Sequence, residues 1–250
     1  METTLQLTGR QRFRDPYKGL IVVLGAVALG LSAYLLPMPR FDLRFMLLAA
    51  VMMLVSSRFS VQIPRVNTNV TVSDTFIFLV LLLYGGLAGI ILAGVEGLFS
   101  GLHISKGLRT GKKILIISFN SAMMLCSTSL TVLVVRLCFA PIAALRFLDL
   151  SHFIAAVGTM ALVQYFSNTG ISAIGLACKT GQPIWRTWQT HYLWTSITYL
   201  AGAAVAAVSA NSFEKAGLTI LMIGTPVIFI VYFTYHKYLD EIKATSAQAE

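Results

Sequence analysis

Asp74-Thr75-Phe76-Ile77-Phe78-Leu79-Val80-Leu81-Leu82-Leu83-Tyr84-Gly85-Gly86-Leu87-Ala88-Gly89-Ile90-Ile91-Leu92-Ala93-Gly94-Val95-Glu96-Gly97-Leu98-Phe99 is the stretch on which the fold turns. Two apolar runs, Thr75–Tyr84 and Leu87–Phe99, flank the glycine pair, and each run carries one carboxylate. The pattern predicts an antiparallel helix pair. Asp74 precedes the turn by about eleven residues and Glu96 follows it by about ten, so at 1.5 Å rise per residue the acids reach depths that differ by roughly 1–2 Å. An ionisable group at membrane depth is costly and marks a site by default.

The surrounding composition makes the membrane reading necessary. The 250-residue chain is 56% hydrophobic and 12% charged, with a mean hydropathy of +0.77, where soluble domains carry about 25% charged residues. One compact membrane domain follows. The formal charge of +9 is what cytoplasmic loops rich in Lys and Arg produce, and no compact basic face or motif adds a nucleic-acid partner. Cys126, Cys138 and Cys178 lie in or at the end of apolar runs without metal-like spacing, which argues against a disulfide framework or a zinc site. Arg10, Arg12, Arg14 and Lys18 precede the first apolar stretch as in a signal peptide, but no small-residue cleavage pattern follows it, so the stretch is a retained span.

Eight apolar segments can be drawn: Gly19–Leu36, Phe45–Ser57, Thr71–Tyr84, Leu87–Leu102, Ile114–Phe139, His152–Cys178, His191–Val208 and Leu218–Tyr235. A full span takes about 20 residues. The second, third and fourth segments are short, and would be less tilted, thin the bilayer, or sit protected inside the bundle. With the N-terminus inside, fourteen of the nineteen Lys and Arg fall on the cytoplasmic side and five on the other, which supports an even number of spans with both termini in the cytoplasm. The expected fold is an all-α polytopic bundle of about eight spans in a cell inner membrane. It comprises a basic cytoplasmic tail at 1–18, the bundle at 19–236, and a juxtamembrane helix or linker at 237–250.

Two segments depart from helical patterning. Ser60–Ser73 mixes β-branched and polar residues around Pro64, which predicts an extended backbone, either as a surface loop or as a stretch dipping into the bundle. The tail Lys237–Glu250 has helix-spaced pairs, Lys237 with Glu241 and Asp240 with Lys243. It reads equally as a helix continuing from the last span or as a solvated stub.

Candidate site residues are weighed against plainer roles. Asp74 is a ligand group or the N-cap of the third segment. Glu96, mid-helix, has no capping role and is either polar glue or a ligand group. Candidate partners of the two acids are Asn120 with Ser121, the cluster Gln164, Tyr165, Ser167, Asn168 and Thr169, and Arg136; the polar residues could line one cavity with the acids or form interhelical hydrogen bonds. The expected ligand site is Asp74, Glu96, Asn120, Gln164 and Asn168. His103, His152, His191 and His236 lie at segment ends, where side chains snorkel. Trp185, Trp188, Tyr192 and Trp194 read as an interfacial aromatic belt. Gly94, Gly97 and Gly101, with Gly89, form a small-residue stripe for close helix packing. No catalytic motif is present, and no metal or cofactor is indicated. Expected partners are the bilayer, a small molecule, a cytoplasmic output domain or protein, and a second copy of the chain.

The stretch Val70–Gly89, with the tail His236-Lys237-Tyr238-Leu239-Asp240-Glu241-Ile242-Lys243, resembles the multi-pass N-terminal sensor regions (MASE-like) of bacterial signalling proteins, which precede GGDEF, EAL, HD-GYP or histidine-kinase modules. The resemblance implies a sensory bundle that transmits through its exiting helix, although no output module is present in these residues. Val70–Leu102 also resembles the middle of the small-molecule-binding S components of energy-coupling-factor transporters, which would imply a solute-binding transport subunit. Those components usually have six spans.

Overall fold

The computed structural model describes residues 2–36, 43–58, 60–62, 69–71 and 73–216. The expected last span Leu218–Tyr235 and the tail Lys237–Glu250 lie outside them. Among the described residues eight α-helices follow in chain order: α1 Glu2–Leu35, α2 Leu43–Arg58, α3 Ser73–Tyr84, α4 Gly86–Ile104, α5 Thr110–Cys138, α6 Leu150–Thr180, α7 Ile184–His191 and α8 Ser196–Ala216. Between α2 and α3, strands β1 (Ser60–Gln62) and β2 (Asn69–Thr71) pair antiparallel, with Val61 opposite Val70. The extended reading of this segment therefore holds for these six residues, while Ser73, the last of the segment, opens α3.

Four of these helices are long and apolar enough to cross a membrane: α1 from Pro16 to Leu35, α4, α5 and α6. The pair α7 and α8, bent by 59° at its break, makes a fifth if it is one broken span. The helix at the chain start is continuous from Glu2, so the basic segment and the first span share one helix, with the span from Pro16 to Leu35. The expected seventh segment is displaced as well. Its first residue, His191, ends α7, and α8 begins at Ser196.

The short third segment has the most interior position. At twelve residues and 1.5 Å each, α3 is about 18 Å long and cannot cross a core of about 30 Å. It is apolar on every side, and such a helix belongs in a protein interior. Ile77, Phe78, Val80 and Leu81 are fully buried, enclosed by α8, α4, α2 and a 3-10 helix, Ile142–Phe147. Of the three roles open to a short segment, protection inside the bundle is the one observed. By contrast α1 turns Leu20, Val23, Val27, Leu31 and Leu35 outward, as a lipid-facing helix does.

Packing is close because lipid provides little hydrophobic drive for helix association, and van der Waals contact must supply it. The glycine stripe of α4 supplies that contact against α5. A β-carbon on Gly97 would stand 2.6 Å from the Asn120 carbonyl oxygen, and one on Gly101 would stand 2.7 Å from the Ile117 Cα. The Ser121 hydroxyl donates to the Gly94 carbonyl at 2.8 Å across the same seam. On α1, Gly25 lies against the Ala122 backbone, and the Tyr17 hydroxyl donates to the Ile171 carbonyl of α6 at 2.8 Å. Gly85 joins α3 to α4 at φ 90°, a conformation that only glycine adopts without strain.

Candidate functional site

The register of the α3–α4 hairpin brings the two acids together. A β-carbon on Gly89 would run into the Leu81 side chain, so these residues face each other across the hairpin. Asp74 lies seven residues before Leu81 and Glu96 seven after Gly89, about two turns or roughly 10 Å along antiparallel partners. Both acids consequently lie on the stripe that Leu81 and Gly89 define, and they act on one another as like charges. Glu96 is buried at 3% exposure in mid-helix. Asp74 stands in the first turn of α3, which starts at Ser73, and is not its cap. Its side chain is hydrogen-bonded to Tyr199 of α8.

Tyr199 is the hub of the cluster. Its hydroxyl also accepts a hydrogen bond from the Asn168 side-chain nitrogen of α6 at 2.5 Å. Four helices thus contribute one polar side chain each: Asp74 from α3, Glu96 from α4, Asn168 from α6 and Tyr199 from α8. The approach of α8 depends on Gly202, one turn beyond Tyr199, where a β-carbon would stand 2.7 Å from the Thr75 hydroxyl oxygen. Aromatic rings wall the cluster. Phe78, one turn beyond Asp74, meets Tyr199 edge-on at 6.4 Å between centroids. Tyr165 lies 5.7 Å from Tyr199 on its other flank.

The hydrogen-bond inventory is unbalanced. Asp74 Oδ1 and Asn168 Oδ1 are both sealed from solvent and accept no hydrogen bond. The Tyr199 hydroxyl has a single proton, so it cannot donate to Asp74 and to the Asn168 oxygen at once. One oxygen of Asp74 and the oxygen of Asn168 are therefore left without a donor. Such a site suits a partner that donates hydrogen bonds or carries positive charge.

The remaining expected site residues have other roles. Gln164, one turn before Asn168 on α6, is fully buried. Its amide nitrogen donates to the Ser127 hydroxyl at 3.3 Å and the Thr128 hydroxyl at 3.1 Å, and its oxygen accepts from the Thr131 hydroxyl at 2.8 Å. Every polar atom of Gln164 is occupied, and the residue ties α5 to α6. Asn120 meets α4 through its backbone carbonyl, against Gly97. Thr169 and Tyr165 serve a neighbouring aromatic seam. Trp188 of α7 donates to the Thr169 hydroxyl at 2.9 Å, and its ring stacks on Trp185 and Phe166.

Tyr199 and Gly202 are not among the expected site residues. The signal available there was a tyrosine in mid-segment, one turn from a glycine. A hydroxyl inside hydrocarbon needs a partner, and the acids are the groups that supply one. Elsewhere, α6 and α8 leave a crevice of about 450 Å³ between Phe153, Val157, Gly158, Ala203 and Ala207. Its walls are apolar, unlike those of the acid cluster. No family model matches this chain, and neither a curated protein nor a solved structure shows significant similarity to it.

Proposed function

We propose that this chain is the sensory input module of a bacterial signalling system, set in the inner membrane with about eight spans and both termini cytoplasmic. The observation that carries the reading is the convergence of Asp74, Glu96, Asn168 and Tyr199 from four helices, with α8 contributing the hub. A ligand that prefers one packing of these helices shifts the population toward it. Because α8 leads toward the C-terminal segment, a shift at Tyr199 is carried along that helix to an output domain or a partner protein. The resemblance of Val70–Gly89 and of the tail to MASE-like sensor regions points the same way.

The test is a melting-temperature screen of the purified chain against small metabolites, repeated on Glu96→Ala. A ligand at a hundred times its Kd stabilises the folded state by about 2.7 kcal/mol, and this gain should vanish in the variant. If no compound separates wild type from variant, the proposal fails. Copurification decides the kind of output: a cyclase, phosphodiesterase or kinase agrees with sensing, whereas an ATPase module would assign the chain to solute uptake as an S-component-like subunit. A reporter fused after Glu250 and labelled only from the periplasm would overturn the orientation.

A further inference from the structure

We infer that the end of the bundle formed by the α4–α5 turn and the close of α6 is a docking surface for the headgroups of anionic phospholipids. This surface is apart from the acid cluster, and its assignment does not depend on the sensory reading.

Charge is sorted along the bundle. Between Gly97 and Phe213 the sequence has one acidic residue, Asp149, which caps the start of α6 at the opposite end. The α4–α5 turn and the first turn of α5 carry Lys106, Arg109, Lys112 and Lys113, and the last turn of α6 carries Lys179. Lys106, Arg109, Lys112 and Lys179 are exposed and Lys113 is half-buried.

The fold gathers residues that the sequence scatters. Gly101 of α4 lies against Ile117 of α5, so the end of α4 is level with about Ile114, and Lys106 follows in the turn. On the other seam of α5, the Ser172 hydroxyl donates to the Met123 sulfur and Gly175 meets the Phe119 ring. Lys179, one turn beyond Gly175, is therefore level with about Leu115, within roughly a turn of Lys112 and Lys113. Lys18 of α1 joins them about a turn deeper, over the Phe119 ring at 5.7 Å from its centroid. Glu96, the nearest acid to this end on α4, α5 or α6, lies more than two turns before the close of α4.

Apolar side chains are set among the cations. Ile104 is 49% exposed, Leu108 44%, Ile114 59% and Leu115 42%. A cytoplasmic excess of Lys and Arg explains the sign of the charge, but not the exposed leucine and isoleucine between the charges. The boundary between headgroups and acyl chains covers both kinds of side chain: the apolar ones enter hydrocarbon, and the basic ones reach the phosphates. Clusters of about four to eight Lys and Arg beside a membrane span attract anionic lipid in this way. Phosphate matches the donors present, since lysine offers point charges and arginine a two-pronged fork. A headgroup held between Lys113 of α5 and Lys179 of α6 also relieves the repulsion of these like charges.

The experiment uses the full chain in nanodiscs of phosphatidylcholine, with or without about one-third phosphatidylglycerol. The anionic lipid should raise the melting temperature of wild type by roughly 3–8 °C. Native mass spectrometry should show phosphatidylglycerol retained in preference to phosphatidylcholine. Salt at about 1 M, where the Debye length is about 3 Å, should remove most of both effects. The triple variant Lys112→Gln, Lys113→Gln, Lys179→Gln should melt as wild type does in pure phosphatidylcholine, and its preference for phosphatidylglycerol should fall by at least about tenfold. Arginine at the same three positions should keep the preference. So should Arg136→Gln, which removes a cation from the opposite end of α5.

Equal retention of the two lipids by wild type, or an undiminished preference in the glutamine variant, overturns the inference. A loss that the arginine variant shares overturns it as well, because the lysines would then act through packing rather than charge. The last arm adds inorganic phosphate or a short oligonucleotide to phosphatidylcholine discs. If either stabilises wild type as the anionic lipid does, the surface serves a soluble anion and the lipid assignment fails.

Discussion

Two polar layers sit one helical turn apart on α6, and they are built on opposite plans. In the Gln164 layer both polar atoms of the amide have partners across the α5 seam, Ser127 and Thr128 for the nitrogen and Thr131, which shares its proton with the Ser127 carbonyl, for the oxygen. In the Asn168 layer the amide nitrogen is matched by Tyr199, while its oxygen and one oxygen of Asp74 are not. The residue types and the surroundings are similar, so polarity inside the bundle does not distinguish glue from site. Completeness does. A saturated network fixes two helices in register and has nothing left to offer a ligand. An unsaturated one holds four helices less firmly and retains binding capacity.

The strongest way to break the comparison is to empty the saturated layer. Gln164→Ala leaves the Ser127 and Thr128 hydroxyls without their amide partner and opens a void among fully buried neighbours. The expected loss is about 2–4 kcal/mol of stability, measured by denaturant unfolding in mixed micelles. Gln164→Leu refills most of the volume and should cost distinctly less. If Gln164→Ala were neutral, the layer would not be glue and the contrast with the Asn168 layer would collapse.

A somewhat smaller effect is expected at the seam that carries Glu96. In Gly97→Val the new β-carbon meets the Asn120 carbonyl oxygen and the Ser121 Cα at 2.6 and 2.7 Å, and these are backbone atoms that cannot swing aside. Forced separation of α4 from α5 should cost about 1–3 kcal/mol and shift Glu96, the preceding residue. Thermal unfolding reads the first effect. The second is read as loss of the ligand-induced rise in melting temperature, which an overpacking effect remote from the site would leave in place.

The unsaturated layer predicts the opposite sign. Asp74→Asn removes one of two like charges and keeps the shape, so stability at alkaline pH should stay level or rise by about 1 kcal/mol, while ligand response falls. Functional sites commonly give up stability in this way. A loss of 2 kcal/mol or more, comparable to that of Gln164→Ala, would make Asp74 a structural residue and dissolve the distinction between the layers.

Much of this arrangement could be read from the residues alone. The glycine pair, the apolar runs and the positions of the acids yield the α3–α4 hairpin and the pairing of Asp74 with Glu96, because helix rise and a tight turn fix register locally. The α4 stripe of Gly94, Gly97 and Gly101 is likewise a one-helix pattern, and it packs on α5 as small residues do. The difference between Gln164 and Asn168 was not legible. Both are amides on one face of α6, and their roles depend on which side chains α5 and α8 present to them. The hub Tyr199 was obscured for the same reason, since its partners lie 31 residues away in Asn168 and further still in α3. Helix lengths were only partly legible. Hydropathy marks apolar segments but cannot separate α1, which turns its apolar surface outward, from α3, which has its own entirely enclosed.

The smallest effect expected is at an exposed acid that serves as the reference for both layers. Asp149 caps α6, accepting from the Ser151 hydroxyl and from the His152 backbone N–H at 3.3 Å, and it pairs with the His152 ring at 2.6 Å. The Ser151 hydrogen bond first, and the His152 backbone next, hold its carboxyl at about 2, below its ordinary 3.8. A depressed folded-state value means the contribution to stability is complete above pH 3.8 and is lost as pH falls from there through about 2. Ser151→Ala should therefore flatten the acid limb of the stability profile, lowering stability by a constant amount above pH 3.8, and leave the slope of the alkaline limb unchanged. The interior cluster supplies the contrast: Asp74→Asn should leave the acid limb that Asp149 sets unchanged. A melting profile across both limbs for the two variants thus compares a carboxylate that water and local donors keep charged with one that the bundle's interior holds against another charge. If one variant moved both limbs, the acids would be coupled through global stability, and the separation drawn between an exposed cap and an interior site would not hold.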